Sequence, residues 1–183
     1  MAEQVAILAG GCFWCTEAVF NDVIGVSKVE SGYTGGTAAE PTYKEVCGGN
    51  TGHAEAIRVS FDPDVISYGD LLDIFFATHD PTQLNRQGND VGTQYRSAIF
   101  PQDATQEKEA KRAKDRAQSH WDGNVVTTIE PPSQWWPAEG YHQAYWEGEG
   151  QRNPYCIANI PPKLQKLRKS FQARTRSEAT QLS

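Results

Sequence analysis

The chain has 183 residues, 38% of them hydrophobic, with four cysteines and a formal net charge of −6. That is enough apolar material for one domain with its own core, too few cysteines for a disulfide-built secreted module, and the wrong charge for gripping a phosphate backbone. No basic leader followed by an apolar run opens the sequence and no stretch is apolar for long enough to span a bilayer, so a soluble cytoplasmic protein that engages neither nucleic acid nor membrane is expected.

Val5-Ala6-Ile7-Leu8-Ala9 reads as a strand within 4–10, which Gly10-Gly11 ends. A helix over 13–22 follows, with Trp14, Cys15, Ala18, Val19 and Val23 at helical spacing. Cys12 stands at its start. Unpaired N–H groups and the positive end of the dipole there favour a thiolate, and a strand-turn-helix junction exposes it, which makes Cys12 the candidate nucleophile. Strands over 26–34 and 54–61, with a loop between, a helix over 67–79, a long loop and a strand over 95–100 complete a β-α-β-β-α-β order. An alanine-striped helix over 103–119 and a strand over 125–130 are added. From Pro131 to Pro162 the chain is rich in Pro, Trp, Tyr, Gly and Asn and lacks periodicity, so a coil wrapping the sheet is predicted, then a short basic helix over 163–169 and a frayed tail over 177–183. The fold class is α+β: a two-layer sandwich with a ferredoxin-like core plus an extra helix, an extra strand and a long C-terminal coil. One catalytic domain is expected, with its core over 4–130, the wrapping coil over 131–162, and helix and tail over 163–183.

Polar clusters sit in the loops: Pro41-Thr42-Tyr43, Asn50-Thr51-Gly52-His53-Ala54-Glu55, Asn85 through Ser97, and Tyr141-His142-Gln143. Together with GGCFWCTE, the runs PTYKEV, TGHAEAI, HDPT, RQGNDVGTQYRSAI and GYHQAYW occur in the order in which the A-type peptide methionine sulfoxide reductases carry them. Over residues 5 to 160 the chain resembles that family. The resemblance implies reduction of methionine S-sulfoxide, free or in proteins, for the repair of oxidised polypeptides (peptide-methionine (S)-S-oxide reductase), without cofactor or metal, by a monomer that thioredoxin resets.

Sulfoxide reduction needs a soft nucleophile at sulfur and an acid or donors for the departing oxygen. Cys12 supplies the thiolate, and Glu55, entering an apolar strand, is expected to be a partly buried acid with a raised pKa; a solvated strand residue is the competing reading. By resemblance, Tyr43 and Tyr95 polarise the S=O bond, and Phe13 and Trp14 wall the substrate's methyl group, although ordinary core packing would also account for two aromatics there. Asp90, with Asn89, is expected to organise the loop of Tyr95 by Asx-type bonds to backbone and to reach the substrate network. A sulfenic acid on Cys12 would then condense with a second thiol. Cys156, in the C-terminal coil, matches the place of a resolving cysteine, and the coil would carry it to Cys12. Cys15 stands where many members have glycine, one helical turn from Cys12, so that it could resolve directly or relay the disulfide. Cys47 receives no role and is expected to be buried or incidental.

Three other readings compete. A structural zinc site from the four cysteines lacks a second close pair. A thioredoxin-like disulfide oxidoreductase would use the CxxC but has no need of Glu55 or the tyrosines. A noncatalytic peptide-binding module would rest on Trp135, Trp136, Tyr141, Tyr145 and Trp146. His142, His53 and His79 are read as hydrogen-bonding organisers.

Overall fold

The structure, a computed structural model, describes residues 3–176. In chain order it contains β1 (Gln4–Gly10), α1 (Phe13–Asn21), β2 (Val26–Thr34), α2 (Tyr43–Cys47), β3 (Ala54–Phe61), α3 (Tyr68–Thr78), β4 (Arg86–Gln87), β5 (Asp90–Val91), β6 (Ser97–Ile99), α4 (Ala104–Gln118), β7 (Thr128–Ile129), β8 (Trp136–Pro137) and α5 (Pro154–Ser170). The main sheet runs β7-β6-β1-β3-β2-β8. Its inner four strands have the order of a split βαβ pair, with β3 antiparallel to both β1 and β2 and β6 antiparallel to β1, as the β-α-β-β-α-β reading requires. β7 lies parallel to β6, and β8 closes the other edge against β2. The predicted tail over 177–183 lies outside the described residues.

Side chains alternate across β3, and that alternation decides where the chemistry goes. Ile57, Val59 and Phe61 point into the large core that α1, α3, α4 and α5 cover, whereas Ala54 and Ala56 join Ile7, Ala9, Ala98 and Phe100 in a smaller cluster. Glu55 shares the parity of Ile57 and is therefore carried to the helix-covered side, cross-strand from Tyr33. The helices begin where their caps dictate. Ser67 and Asp70 form a capping box at α3, and the Asp103 side chain accepts from the Gln106 N–H at α4. On α4, Ala110, Ala113 and Ala117 are buried and the charged residues between them face out. Among the described residues no helix is long and apolar enough to cross a membrane.

Four expectations are corrected. The loop over 35–53 contains α2, which Thr42 and Glu45 start with a reciprocal capping box. The strand expected over 95–100 is Ser97–Ile99, because Thr93–Tyr95 is a 3-10 turn, and the strand expected over 125–130 shortens to Thr128–Ile129. The largest difference is at the C-terminus, where the coil predicted to reach Pro162 gives way at Pro154 to a helix of 17 residues. Asn153 caps it, Pro154 sits at a position where a missing N–H is harmless, and Cys156, Ile160, Leu164 and Leu167 form a buried stripe. Pro161 and Pro162 lie inside the helix and mask that stripe in the sequence.

Candidate active site

Cys12 is the N-cap of α1, held by a turn in which Gly11 has φ +91° and no room for a side chain: a Cβ there would lie 2.8 Å from the Gln87 side chain. Its thiol is buried, with 8% exposure, and is hydrogen bonded to the thiol of Cys15 one turn later. All four cysteines are free thiols. The expectation of an exposed thiolate at Cys12 is not met at rest. Burial, the bond to Cys15 and the nearness of Glu55 push the Cys12 thiol well above its ordinary range, and a single opposing N–H, from Trp14, does not offset them. Helix-end electrostatics contributes about 0.3–1 kcal/mol, whereas full burial moves a pKa by up to about 3–5 units, so burial wins. Cys15 is lowered instead, first by the bond from Cys12, then by the Lys163 charge and the Tyr155 hydroxyl, against the opposing effect of burial.

Glu55 is 1% exposed. Its Oε1 accepts the Phe13 N–H at 3.1 Å, which places the carboxyl beside the first turn of α1, and its Oε2 is buried without a partner. Burial pushes its pKa up to about 8, with Asp90 and Cys15 adding to the shift. At neutral pH the group is a protonated acid with one unused oxygen.

Tyr43 begins α2, where its N–H donates to Glu139 Oε2 at 3.1 Å. Tyr95 ends the 3-10 turn, and the Gln94 side chain ties that turn to α2 by donating to the Cys47 carbonyl at 3.3 Å. Burial, followed by the nearness of Glu55, holds both phenols far above their usual range, so they are hydrogen-bond donors. The two hydroxyls converge on Cys47, whose thiol is hydrogen bonded to both. Cys47 is exposed at the rim of the site rather than buried.

Phe13 is fully buried, stacked at 6.2 Å on Tyr43 and 5.6 Å from Tyr33, so it forms a floor beneath the site rather than an open wall. Trp14 is half-buried. Its ring stacks on Tyr145 at 4.1 Å, and its indole N–H donates to His142 Nδ1 at 3.0 Å. Asp90 is among the charges that act on Glu55 and Tyr95, but the hydrogen bond it accepts comes from the Tyr155 hydroxyl rather than from loop backbone. The hairpin of β4 and β5 is thereby tied to the start of α5. Cys156 is in the first turn of α5, completely buried, and pushed up to about 11 by burial and then by Cys15. The coil that was to bring it to Cys12 is a helix, and the thiol it is placed near is Cys15.

His79 bridges Phe75 O and Ser97 Oγ, and His53 accepts the Gly36 N–H at 3.0 Å. Among the described residues no three His, Cys, Asp or Glu side chains are placed to hold a metal ion. Four further residues build the site, and of these only Glu17 falls within one of the sequence motifs. Glu17 accepts from Ser31 Oγ at 2.8 Å and from the backbone of Ala144 and Tyr145, fastening the strap that lays Tyr145 on Trp14. Glu139 accepts from Tyr33, Tyr141 and the Tyr43 backbone. Tyr155 and Lys163 reach the thiol pair from α5. Only the tertiary fold brings these four to the site.

Sulfur is the soft nucleophile in this ring, and Glu55, Tyr43 and Tyr95 beside it hold protons, which is the equipment of an oxidoreductase working through thiols. Residues 4–175 match the family model described as peptide methionine sulfoxide reductase, and the chain belongs to that family. It is 68% identical over 178 residues to the peptide methionine sulfoxide reductase MsrA of Erwinia tasmaniensis, covering 97% of this chain and 100% of that one. Its fold is similar to that of Mxr1 from Saccharomyces cerevisiae in reduced form, with a TM-score of 0.74 and 36% identity over 84% of this chain and 87% of the other. Mxr1 in complex with Trx2 is also similar, with a TM-score of 0.55 and 26% identity over 79% of this chain and 85% of that one.

Proposed function

We propose that the protein reduces the S epimer of methionine sulfoxide, free or in polypeptides, to methionine. The observation that carries the reading is the buried, protonated Glu55 with an unpartnered Oε2, beside Cys12 and within the ring of Tyr43 and Tyr95. A buried polar atom without a partner is uncommon, and a sulfoxide oxygen seated there would supply one. Cys12 sulfur attacks the substrate sulfur, Glu55 protonates the oxygen and the two phenols hold it. The oxygen ends on Cys12 as a sulfenic acid and methionine leaves, so the substrate sulfur gains the two electrons that Cys12 gives up.

The position of Cys15 against Cys12, and of Cys156 near Cys15, supports a relay: Cys15 attacks the sulfenic acid with loss of water, and Cys156 then exchanges onto Cys15. A thioredoxin would reduce the final disulfide, a reading supported by the similarity to Mxr1 in complex with Trx2. The test is reduction of separated S and R epimers with dithiothreitol, by the parent and Cys12→Ser. Turnover of the S epimer alone, abolished in the variant, is expected; turnover of neither epimer overturns the reading. Disulfide mapping after one equivalent of sulfoxide should give Cys15–Cys156 in the parent and Cys12–Cys15 in Cys156→Ser.

A further inference from the structure

Tyr141-His142-Gln143 is a motif of the sequence that the reaction above leaves without a task. The structure folds it into a 3-10 turn over Gly140–His142, closed by the His142 N–H donating to the Glu139 carbonyl at 2.9 Å. Both ends of the turn are fastened to β2. Glu139 Oε1 accepts from the Tyr33 hydroxyl at 3.0 Å, and the Gln143 side chain accepts the Ser31 N–H at 2.9 Å and donates to the Ser31 carbonyl at 2.8 Å. His142 is thereby held, 1% exposed, in a cage of rings, its centroid 4.3 Å from that of Tyr43, 5.2 Å from Phe13 and 5.6 Å from Trp14.

The bond from the Trp14 indole decides the tautomer of this histidine. An indole N–H only donates, so the Nδ1 that it meets at 3.0 Å carries no proton. Burial pushes the pKa of the ring down, which keeps it neutral at neutral pH and leaves its proton on Nε2. Nε2 is buried, and among the described residues nothing accepts from it. A phenylalanine would fill the same cage without an orphaned donor, so what the imidazole adds is an acceptor for Trp14. The same turn also holds Tyr43, whose N–H Glu139 Oε2 accepts at 3.1 Å. Trp14 and Tyr43, with ring centroids 6.1 Å apart, are thus both located by one segment anchored on the sheet.

We propose that His142 is a specificity-determining positioning residue: by holding the Trp14 indole at a fixed distance from the Tyr43 phenol, it limits the alkyl group on the substrate sulfur to a methyl. The inference rests on the function proposed above. With the sulfoxide oxygen at Glu55 and the phenols, the alkyl group lies against Trp14, and an indole released from its acceptor can swing aside for a longer one. His142 acts through Trp14 rather than on the reacting atoms.

The test compares kcat/KM for the S-sulfoxides of N-acetylmethionine amide and N-acetylethionine amide, whose sulfur carries one more methylene, in the parent, His142→Phe and His142→Asn. One methylene in an apolar pocket discriminates by about 10- to 200-fold, and the parent should favour the methyl compound within that range. His142→Phe keeps a ring in the cage but offers no acceptor, and should shrink the preference by about tenfold. His142→Asn, whose carbonyl can accept the indole N–H, should stay near the parent. A general loss of packing lowers both rates together and leaves their ratio alone. A parent that takes both compounds equally, or an unchanged ratio in His142→Phe, overturns the proposal, whereas a parent that turns over neither overturns the function on which it rests. A measurement on the parent without substrate covers a variant that fails to fold: nitrogen NMR of the His142 ring should show Nδ1 bare and Nε2 protonated, and the opposite tautomer refutes the pairing with Trp14.

Discussion

Replacing Glu55 by Gln should remove activity and stabilise the protein, and the size of the gain follows from the burial of the carboxyl. The folded state holds the group at about 8 against an ordinary value of 4.5. A raised carboxylate pKa means that the folded state keeps a proton that the unfolded chain gives up, so stability is lost as pH rises from the unfolded value through the folded one. At pH 7 about two and a half units of that interval have been crossed, and at about 1.4 kcal/mol per unit the parent carries a penalty of about 3 kcal/mol. Glutamine is neutral throughout, keeps an acceptor for the Phe13 N–H, and escapes the penalty. Urea unfolding of parent and variant at pH 4.5, 7 and 8 measures it: the variant should be more stable by about 3 kcal/mol at pH 7, and the gap should fall below about 1 kcal/mol at pH 4.5. A gap that is absent at neutral pH, or that does not change with pH, would refute the assignment of Glu55 as a buried acid.

The parent's initial rate of sulfoxide reduction should fall above about pH 8 as Glu55 loses its proton, a limb to be read from the pH profile of kcat/KM. Tyr43→Phe and Tyr95→Phe each remove one donor to the developing negative oxygen and should lower kcat/KM by about 10- to 100-fold, with thermal stability nearly unchanged. Gly11→Ala forces a side chain into a left-handed backbone against Gln87 and should destabilise by about 1–3 kcal/mol in urea unfolding. His79, pushed down to about 3 by burial, stays neutral in the folded state while the unfolded chain protonates near 6.5. Its contribution is therefore complete above pH 6.5 and lost as pH falls towards 3, so stability measured at pH 5 should drop by about 2 kcal/mol less in His79→Gln than in the parent.

The inner sheet and α1, α3 and α4 were legible because their apolar periods and caps are local. Glu55 was legible as well, since its place in β3 follows from alternation once the strand is recognised. The charge state of Cys12 was not, because helix-end position is written in the sequence but burial and the partnership with Cys15 are made by packing. The start of α5 was missed for a different reason: Pro161-Pro162 read as punctuation, while the stripe through Cys156, Ile160, Leu164 and Leu167 becomes convincing only beside α1. Glu17, Glu139 and Lys163 are ordinary charged residues in sequence, and burial alone gives them meaning.

The two prolines have a mechanical consequence. Neither has an N–H, so the carbonyls of Ile157 and Ala158 have no donor four residues on, and the helical ladder is interrupted between Pro154–Ile160 and the segment beginning at Lys163. The leading turns are therefore held by two fewer backbone bonds than an unbroken helix would give them, and the burial of Cys156 and Ile160 keeps them in the core beside Leu164 and Leu167. Amide exchange would separate the two halves, fast before the prolines and slow after them. Cys156 rides on the more weakly bonded half, so the opening that would bring this buried thiol to solvent need reach no further than these turns.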